Sequence, residues 1–206
     1  TLQHKIRKIN ISTGQVSTLA GSGQPGFLDS TTGTLAQFYY PIDAISDGTN
    51  LYVVDYYNNK IRKVVISTGA VTTLAGGSYG NPFKYPRGIT IHDNNLYVAD
   101  TGNNKIQKIV ISTGAVSTFA GSGSGTSNDG NGTSASFNQP YGITTDGTHL
   151  YVTDWSGNKI RKIVISTRDV TTIAGTGNSA FLDSTTGTQA KFHRPHGITT
   201  DGNNLY

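Results

Sequence analysis

Pro86-Arg-Gly-Ile-Thr90, Asn95-Leu-Tyr-Val-Ala-Asp100, Lys105-Ile-Gln-Lys108 and Ile111-Ser-Thr-Gly-Ala-Val-Ser-Thr-Phe-Ala-Gly121 follow one another through the middle of this chain. The series has a close copy on each side, and a further copy is split between the two chain ends. The Leu-Tyr pair of each copy ends at Tyr52, Tyr97, Tyr151 and Tyr206, in steps of 45, 54 and 55 residues. A period in this range marks a solenoid or a propeller rather than a domain with one conventional core.

Within one copy, four short β signals follow each other. Gly88-Ile-Thr-Ile91 alternates apolar and polar residues behind a proline, and Leu96-Tyr-Val-Ala-Asp100 comes next. Lys105-Ile-Gln-Lys-Ile-Val-Ile111 is rich in β-branched residues, and Ala115-Val-Ser-Thr-Phe119 completes the set. Asp93-Asn-Asn95, Thr101-Gly-Asn-Asn104 and Ser112-Thr-Gly114 supply the turns, with Asp47-Gly48, Asp146-Gly147 and Asp201-Gly202 marking the first hairpin elsewhere. Four strands joined by hairpins make a small sheet that cannot bury either face alone, so it must stack on its neighbours. Radial stacking of such meanders is a β-propeller.

The predicted fold is therefore all-β: a single propeller over residues 1–206, of four-stranded antiparallel blades. The blades are placed at about 36–76, 82–121, 137–175 and 192–206 plus 1–21, so one is shared between the two ends. Aligning Lys5 with Lys60 leaves that shared blade short of only the three residues matching Val53, Val54 and Asp55. Either the four blades close on themselves, or the chain is a window of a larger ring or assembly. Residues 121–136 carry no strand pattern and read as a linker, with a shorter equivalent around Gly77–Asn81.

Composition agrees with short strands and turns: 34% apolar, 14% charged, 26 glycines. The chain has no cysteine, which excludes disulfide and thiolate chemistry, and no methionine even at position 1, as expected of a processed or excised piece. No apolar run has membrane-spanning length. The net charge of +4 traces to Lys5-Ile-Arg-Lys8, Lys60-Ile-Arg-Lys63, Lys105-Ile-Gln-Lys108 and Lys159-Ile-Arg-Lys162. A basic element in every copy reads as solvated repeat chemistry ahead of an anion-binding surface.

The series Pro-x-Gly-Ile, Leu-Tyr-Val-x-Asp and Asn-x-Lys-Ile-x-Lys resembles the NHL repeat, most closely in bacterial extracellular versions with Ile-Ser-Thr-Gly-x-Val-x-Thr-x-Ala-Gly between repeats. The resemblance implies a β-propeller, commonly six-bladed, whose members bind protein or RNA, act as extracellular sensors or adhesion modules, or in a few cases are lyases or hydrolases. Fold thus leaves function open. One departure is Pro41-Ile-Asp-Ala, where Asp43 stands in place of glycine.

Positions at which the copies disagree are the candidates for function. The residue after the strand-opening proline is Ile42, Arg87, Tyr141 or His196, and in a propeller these line one channel mouth together with Asp43. Asp43, Arg87, Tyr141 and His196 are the predicted ligand-binding set; the alternative is drift at an exposed loop. In the next loop Tyr56, Tyr57 and Trp155 stand beside asparagines, suiting either a sugar or protein contact or packing on a neighbouring blade.

Asp55, Asp100 and Asp154 are expected to accept hydrogen bonds from turn amides. The Asp29-Ser-Thr-Thr-Gly-Thr34 and Asp183-Ser-Thr-Thr-Gly-Thr188 loops, with Asp129-Gly-Asn-Gly-Thr133, read as side-chain-capped turns ahead of calcium ligands. His4, His92, His149, His193 and His196 occupy non-equivalent positions, so no metal site and no cofactor is predicted. Asn10 and Asn131 fit the glycosylation triplet.

Catalytic motifs such as Gly-x-Ser-x-Gly are absent from the sequence. The expectation is a non-catalytic extracellular or cell-surface module that binds a protein or polysaccharide, or assembles with itself by completing the split blade. A channel-mouth lyase or hydrolase-like enzyme and a carbohydrate- or anion-binding propeller are the alternatives; nucleic acid is not an expected partner, and no membrane segment is expected.

Overall fold

A computed structural model describes residues 2–77 and 82–206; the predicted short connection at 78–81 lies outside the described residues. The chain divides into two compact units, residues 1–86 and 87–206.

The first unit opens with a two-stranded sheet, β1 (Ile6–Ile9) and β2 (Val16–Ala20). A meander follows in the order β3 (Pro41–Ser46), β4 (Asn50–Asp55), β5 (Lys60–Val65) and β6 (Val71–Ala75). Ala20, Phe38, Val53, Val64 and Val71 form one buried cluster between the two sheets, with Ile6 and Leu19 against it. Burying a Val or Phe side chain contributes about 1.5–3 kcal/mol.

The second unit holds the meander β7 (Pro86–His92), β8 (Asn95–Asp100), β9 (Lys105–Val110) and β10 (Val116–Ala120). Its next sheet contains β11 (Gly130–Asn131), β12 (Pro140–Thr145), β13 (His149–Asp154), β14 (Lys159–Val164) and β15 (Asp169–Ala174). The two faces meet on Ile106, Phe119, Phe137, Leu150, Val152 and Ile163, all buried. Beyond Ala174 the chain begins another unit of the pattern, with a Thr200–Leu205 bridge.

The strand readings hold to within a residue or two at the ends. The linker reading of 121–136 does not hold throughout, because Gly130–Asn131 pairs with β15 as a fifth strand. Asn131 explains this: its side-chain amide donates to the Thr167 carbonyl at 2.8 Å and to Asp169 at 2.7 Å. The Asp-Gly hairpins are built as expected. Asp47 accepts from the Thr49 and Asn50 amides and from the Tyr52 hydroxyl, and Asp146 and Asp201 repeat the arrangement.

The third and fourth strands share an irregularity in every copy. Ile61 pairs with Ala75 but Arg62 with Thr73, so one residue is bulged out; the same shift recurs at Ile6/Arg7, Thr118/Ala120 and Ile160/Arg161.

Two arginines correct the view of Lys-Ile-Arg-Lys as solvated. Arg62 and Arg161 have fully buried side chains. Arg62 bridges Asp55 at 2.7 Å and Asp29 at 2.6 Å; Arg161 bridges Asp154 and Asp129, both at 2.9 Å. Desolvation would be prohibitive for a lone guanidinium, and the paired carboxylates and carbonyls offset it. In the middle copy Gln107 replaces the arginine and donates to Asp100 at 3.0 Å.

The Asp29 and Asp129 loops therefore do more than cap turns. Their carboxylates reach across to the buried arginine and to Thr73 or Thr172, while Ser30 and Ser184 supply the turn bonds to Thr32 and Thr186.

Candidate ligand-binding site

The loop leading into each first strand is held by the repeat itself. Tyr40, Tyr85, Gln139 and Arg194, each preceding the strand-opening proline, have φ of 60°, 50°, 59° and 51°. A non-glycine residue in this region needs support from its surroundings. A preceding asparagine provides it: Asn59 accepts from the Tyr85 amide at 2.6 Å, Asn104 from Gln139 at 2.9 Å and Asn158 from Arg194 at 2.9 Å. At the first position His4 takes the asparagine's place, its Nδ1 accepting from the Tyr40 amide at 3.0 Å.

The aspartates closing β4 and β13 clamp the same loop, as expected of turn-capping carboxylates. Asp55 accepts from the Tyr39 amide at 2.7 Å and Asp154 from the Asn138 amide at 2.6 Å. Burial pushes both carboxyls up, against the pull of these bonds and of the paired arginine; the side-chain donors Asn58 on Asp55 and Ser127 on Asp154 act in the same sense.

Two glycines allow close approach of adjacent repeats. A Cβ on Gly88 would lie 2.5 Å from the Tyr141 carbonyl oxygen, and one on Gly142 would lie 2.4 Å from that of His196. Thr153 fixes the second contact by donating to the His196 carbonyl at 2.7 Å.

This frame brings three of the four predicted ligand residues together in the second unit. The Arg87 guanidinium stands 4.5 Å over the Tyr141 ring and donates to its hydroxyl at 2.8 Å. Tyr141 in turn stacks on His196, with centroids 4.4 Å apart and planes 23° apart. Trp155 extends the row, 6.1 Å from His196, and the Arg194 guanidinium lies 4.7 Å over the indole. His196 and Arg194 are exposed. The result is a ladder of three rings between two cations. Trp155 Nε1 finds no acceptor among the described residues.

Asp43 lies in the first unit, exposed, with its carboxylate on the Ala44 amide at 2.9 Å. Tyr56 and Tyr57 belong to a second cluster in that unit. Their rings are 4.7 Å apart, and Tyr39, Tyr40 and Tyr85 stand within 4.8–6.1 Å of one or the other. Tyr39, Tyr40, Tyr85 and Arg194 were not among the predicted site residues. The signal for them was the one used elsewhere, disagreement among equivalent positions: the residue before the proline is Tyr40, Tyr85, Gln139 or Arg194, and the one before that is Tyr39, Lys84, Asn138 or His193.

Among the described residues no group of three or more His, Asp or Glu side chains is placed to hold a metal ion, and no helix is long and apolar enough to cross a membrane.

Stacked antiparallel meanders with repeat-conserved clamps define a protein of the β-propeller kind. The NHL repeat model matches residues 83–109 of the chain. Human NHL repeat-containing protein 2 is 36% identical over 72 residues, covering 34% of this chain and 10% of that protein. In fold, the chain is similar to an auxiliary nutrient binding protein from Bacteroides ovatus (TM-score 0.70, 18% identity, 95% of this chain and 53% of that one). It is also similar to a catalytically inactive virginiamycin B lyase from Staphylococcus aureus with quinupristin (TM-score 0.64, 20% identity, 98% and 55%). The chain thus spans about half of these structures and a tenth of the human relative.

Proposed function

We propose that this chain is a non-catalytic, extracellular or cell-surface binding and assembly module, a propeller of four NHL-type blades. In this reading β1–β2 and the Thr200–Leu205 hairpin are the two halves of one blade. The observation that carries the binding role is the Arg87–Tyr141–His196 ladder, continued by Trp155 and Arg194. It stands where an otherwise repetitive chain stops repeating itself.

The chemistry suits a carboxylate-bearing polysaccharide. Guanidinium groups take carboxylates through charge-assisted hydrogen bonds, and aromatic rings cover the apolar faces of sugars. The tyrosine cluster of the first unit, with Tyr56 and Tyr57, offers a further aromatic contact. The fold likeness to a nutrient-binding protein supports the reading.

Titration calorimetry with oligogalacturonate, and with neutral dextran as control, tests it. Arg87→Ala and His196→Ala are each expected to weaken oligogalacturonate binding at least tenfold. Equal affinity in wild type and both variants, or no binding by wild type, would refute the site.

A further inference from the structure

Five of the chain's eleven tyrosines, Tyr39, Tyr40, Tyr56, Tyr57 and Tyr85, gather in one cluster of the first unit. Two of them face each other across one joint. Tyr39 lies in the loop entering β3, and Tyr57 in the 3-10 turn Tyr56–Asn58 that follows β4. Their ring centroids are 4.8 Å apart with planes at 45°, and the two residues are 43% and 47% exposed. The backbone holds the pair in place. The Tyr57 amide donates to the Tyr39 carbonyl at 3.1 Å, and the Tyr39 amide donates to buried Asp55 at 2.7 Å. Bringing the rings together for a reaction therefore costs little further ordering of the chain.

The joint belongs to the repeat, but the phenols do not. Asn138 and Ser156 occupy the equivalent places and make the same backbone bond, from the Ser156 amide to the Asn138 carbonyl, at 3.0 Å. Lys84 and Gly102 occupy them in the middle copy. Cysteine and methionine, two readily oxidised side chains, are absent from this chain, which leaves its tyrosines and Trp155 to take up a one-electron oxidant. Within the cluster an electron vacancy on one ring has close neighbours to move to: Tyr56 is 4.7 Å from Tyr57, Tyr40 is 5.5 Å from Tyr57, and Tyr85 is 5.5 Å from Tyr56.

We infer that Tyr39 and Tyr57 form a modification site, at which a haem peroxidase acting with hydrogen peroxide makes a dityrosine bond within one chain. Each phenol loses one electron and one proton. The two phenoxyl radicals join through ring carbons adjacent to the oxygen-bearing ones, and the hydrogens displaced from those carbons restore the two hydroxyls. Two phenols and one hydrogen peroxide thus give one biphenol and two waters. The bond ties the loop before β3 to the turn after β4 and, like other covalent crosslinks, restricts the unfolded chain. It needs no ligand, so this role is separate from polysaccharide binding.

Treating dilute protein with a haem peroxidase and hydrogen peroxide tests the site. Dityrosine fluorescence is expected in the band that runs as a single chain on denaturing electrophoresis. Cleavage before aspartate separates residues 29–42 from 55–92, and mass spectrometry is expected to find these two peptides joined with the loss of two hydrogens. Tyr39→Phe and Tyr57→Phe should each lower the yield of that joined pair at least fivefold, whereas Tyr206→Phe, at a 71% exposed tyrosine of the second unit, should leave it unchanged. No dityrosine, dityrosine confined to multimers, or a wild-type yield in either Tyr39→Phe or Tyr57→Phe would overturn the assignment.

Discussion

Replacing Arg62 tests whether the buried ion pairs hold the blades or merely accompany them. The guanidinium donates to Asp55, to Asp29 and to the Gln37 and Leu28 carbonyls, at 2.6–3.2 Å. Arg62→Ala leaves the Asp55 carboxylate, whose side chain is 0% exposed, without its counter-charge. Removing one partner of such a pair costs about 3–5 kcal/mol. Asp29 adds little to that figure, because its side chain is 39% exposed and water replaces its partner.

The molecule supplies its own milder substitution. Gln107 occupies the equivalent position and satisfies Asp100 with one hydrogen bond. Arg62→Gln is therefore expected to cost about 1.5–3 kcal/mol, the value of a hydrogen bond to a charged group. Arg7→Ala, at the exposed equivalent, is expected to stay within about 0.5 kcal/mol in dilute protein. Urea unfolding followed by circular dichroism reads the series. With a slope of about 2 kcal/mol per molar, Arg62→Ala moves the midpoint down by about 1.5–2.5 M. If it moves no further than Arg7→Ala, or if Arg62→Gln is as harmful as Arg62→Ala, the account of the pair is wrong.

His4→Asn should retain wild-type thermal stability, since asparagine serves at Asn59, Asn104 and Asn158 and tolerates the φ of 52° found at His4. His4→Ala should cost about 1 kcal/mol through the unpaired Tyr40 amide, and equal losses for both variants would refute the clamp. Alkaline unfolding gives a separate check. Burial, then the hydrogen bond to Asp47, pushes the Tyr52 phenol up to about 12, and burial with Asp146 does the same for Tyr151. A raised native value means this stabilisation is complete below the ordinary tyrosine value of about 10 and lost as pH rises towards 12. Tyr52→Phe should flatten the fall in urea midpoint between pH 9 and 11; an unchanged slope would show that Tyr52 does not contribute.

Much of the fold was legible because a meander is a local pattern. Turn residues such as Asp47-Gly48 and alternation in strands such as β7 depend only on near neighbours, so reading them needs no tertiary knowledge. Repetition multiplied the signal. The pairing of Arg62 with Asp29 spans 33 residues, and nothing in Lys60-Ile-Arg-Lys63 distinguishes a buried guanidinium from a solvated one. The bulge between β5 and β6, a tertiary and not a compositional feature, accompanies the position of Arg62 beneath the loop.

The site divides along the same line. Comparing copies was enough to single out Asp43, Arg87, Tyr141 and His196, because scaffold positions are bound to agree and these do not. That Arg87, Tyr141 and His196 stack, that Trp155 and Arg194 join them, and that Tyr39, Tyr40 and Tyr85 gather around Tyr56 and Tyr57 was decided only in three dimensions. The sequence by itself determined the repeat, its strands and the positions free to differ, all set by short-range chemistry. The tertiary structure alone decided which differing side chains share a surface and which repeated charges are buried, because both depend on contacts between segments tens of residues apart.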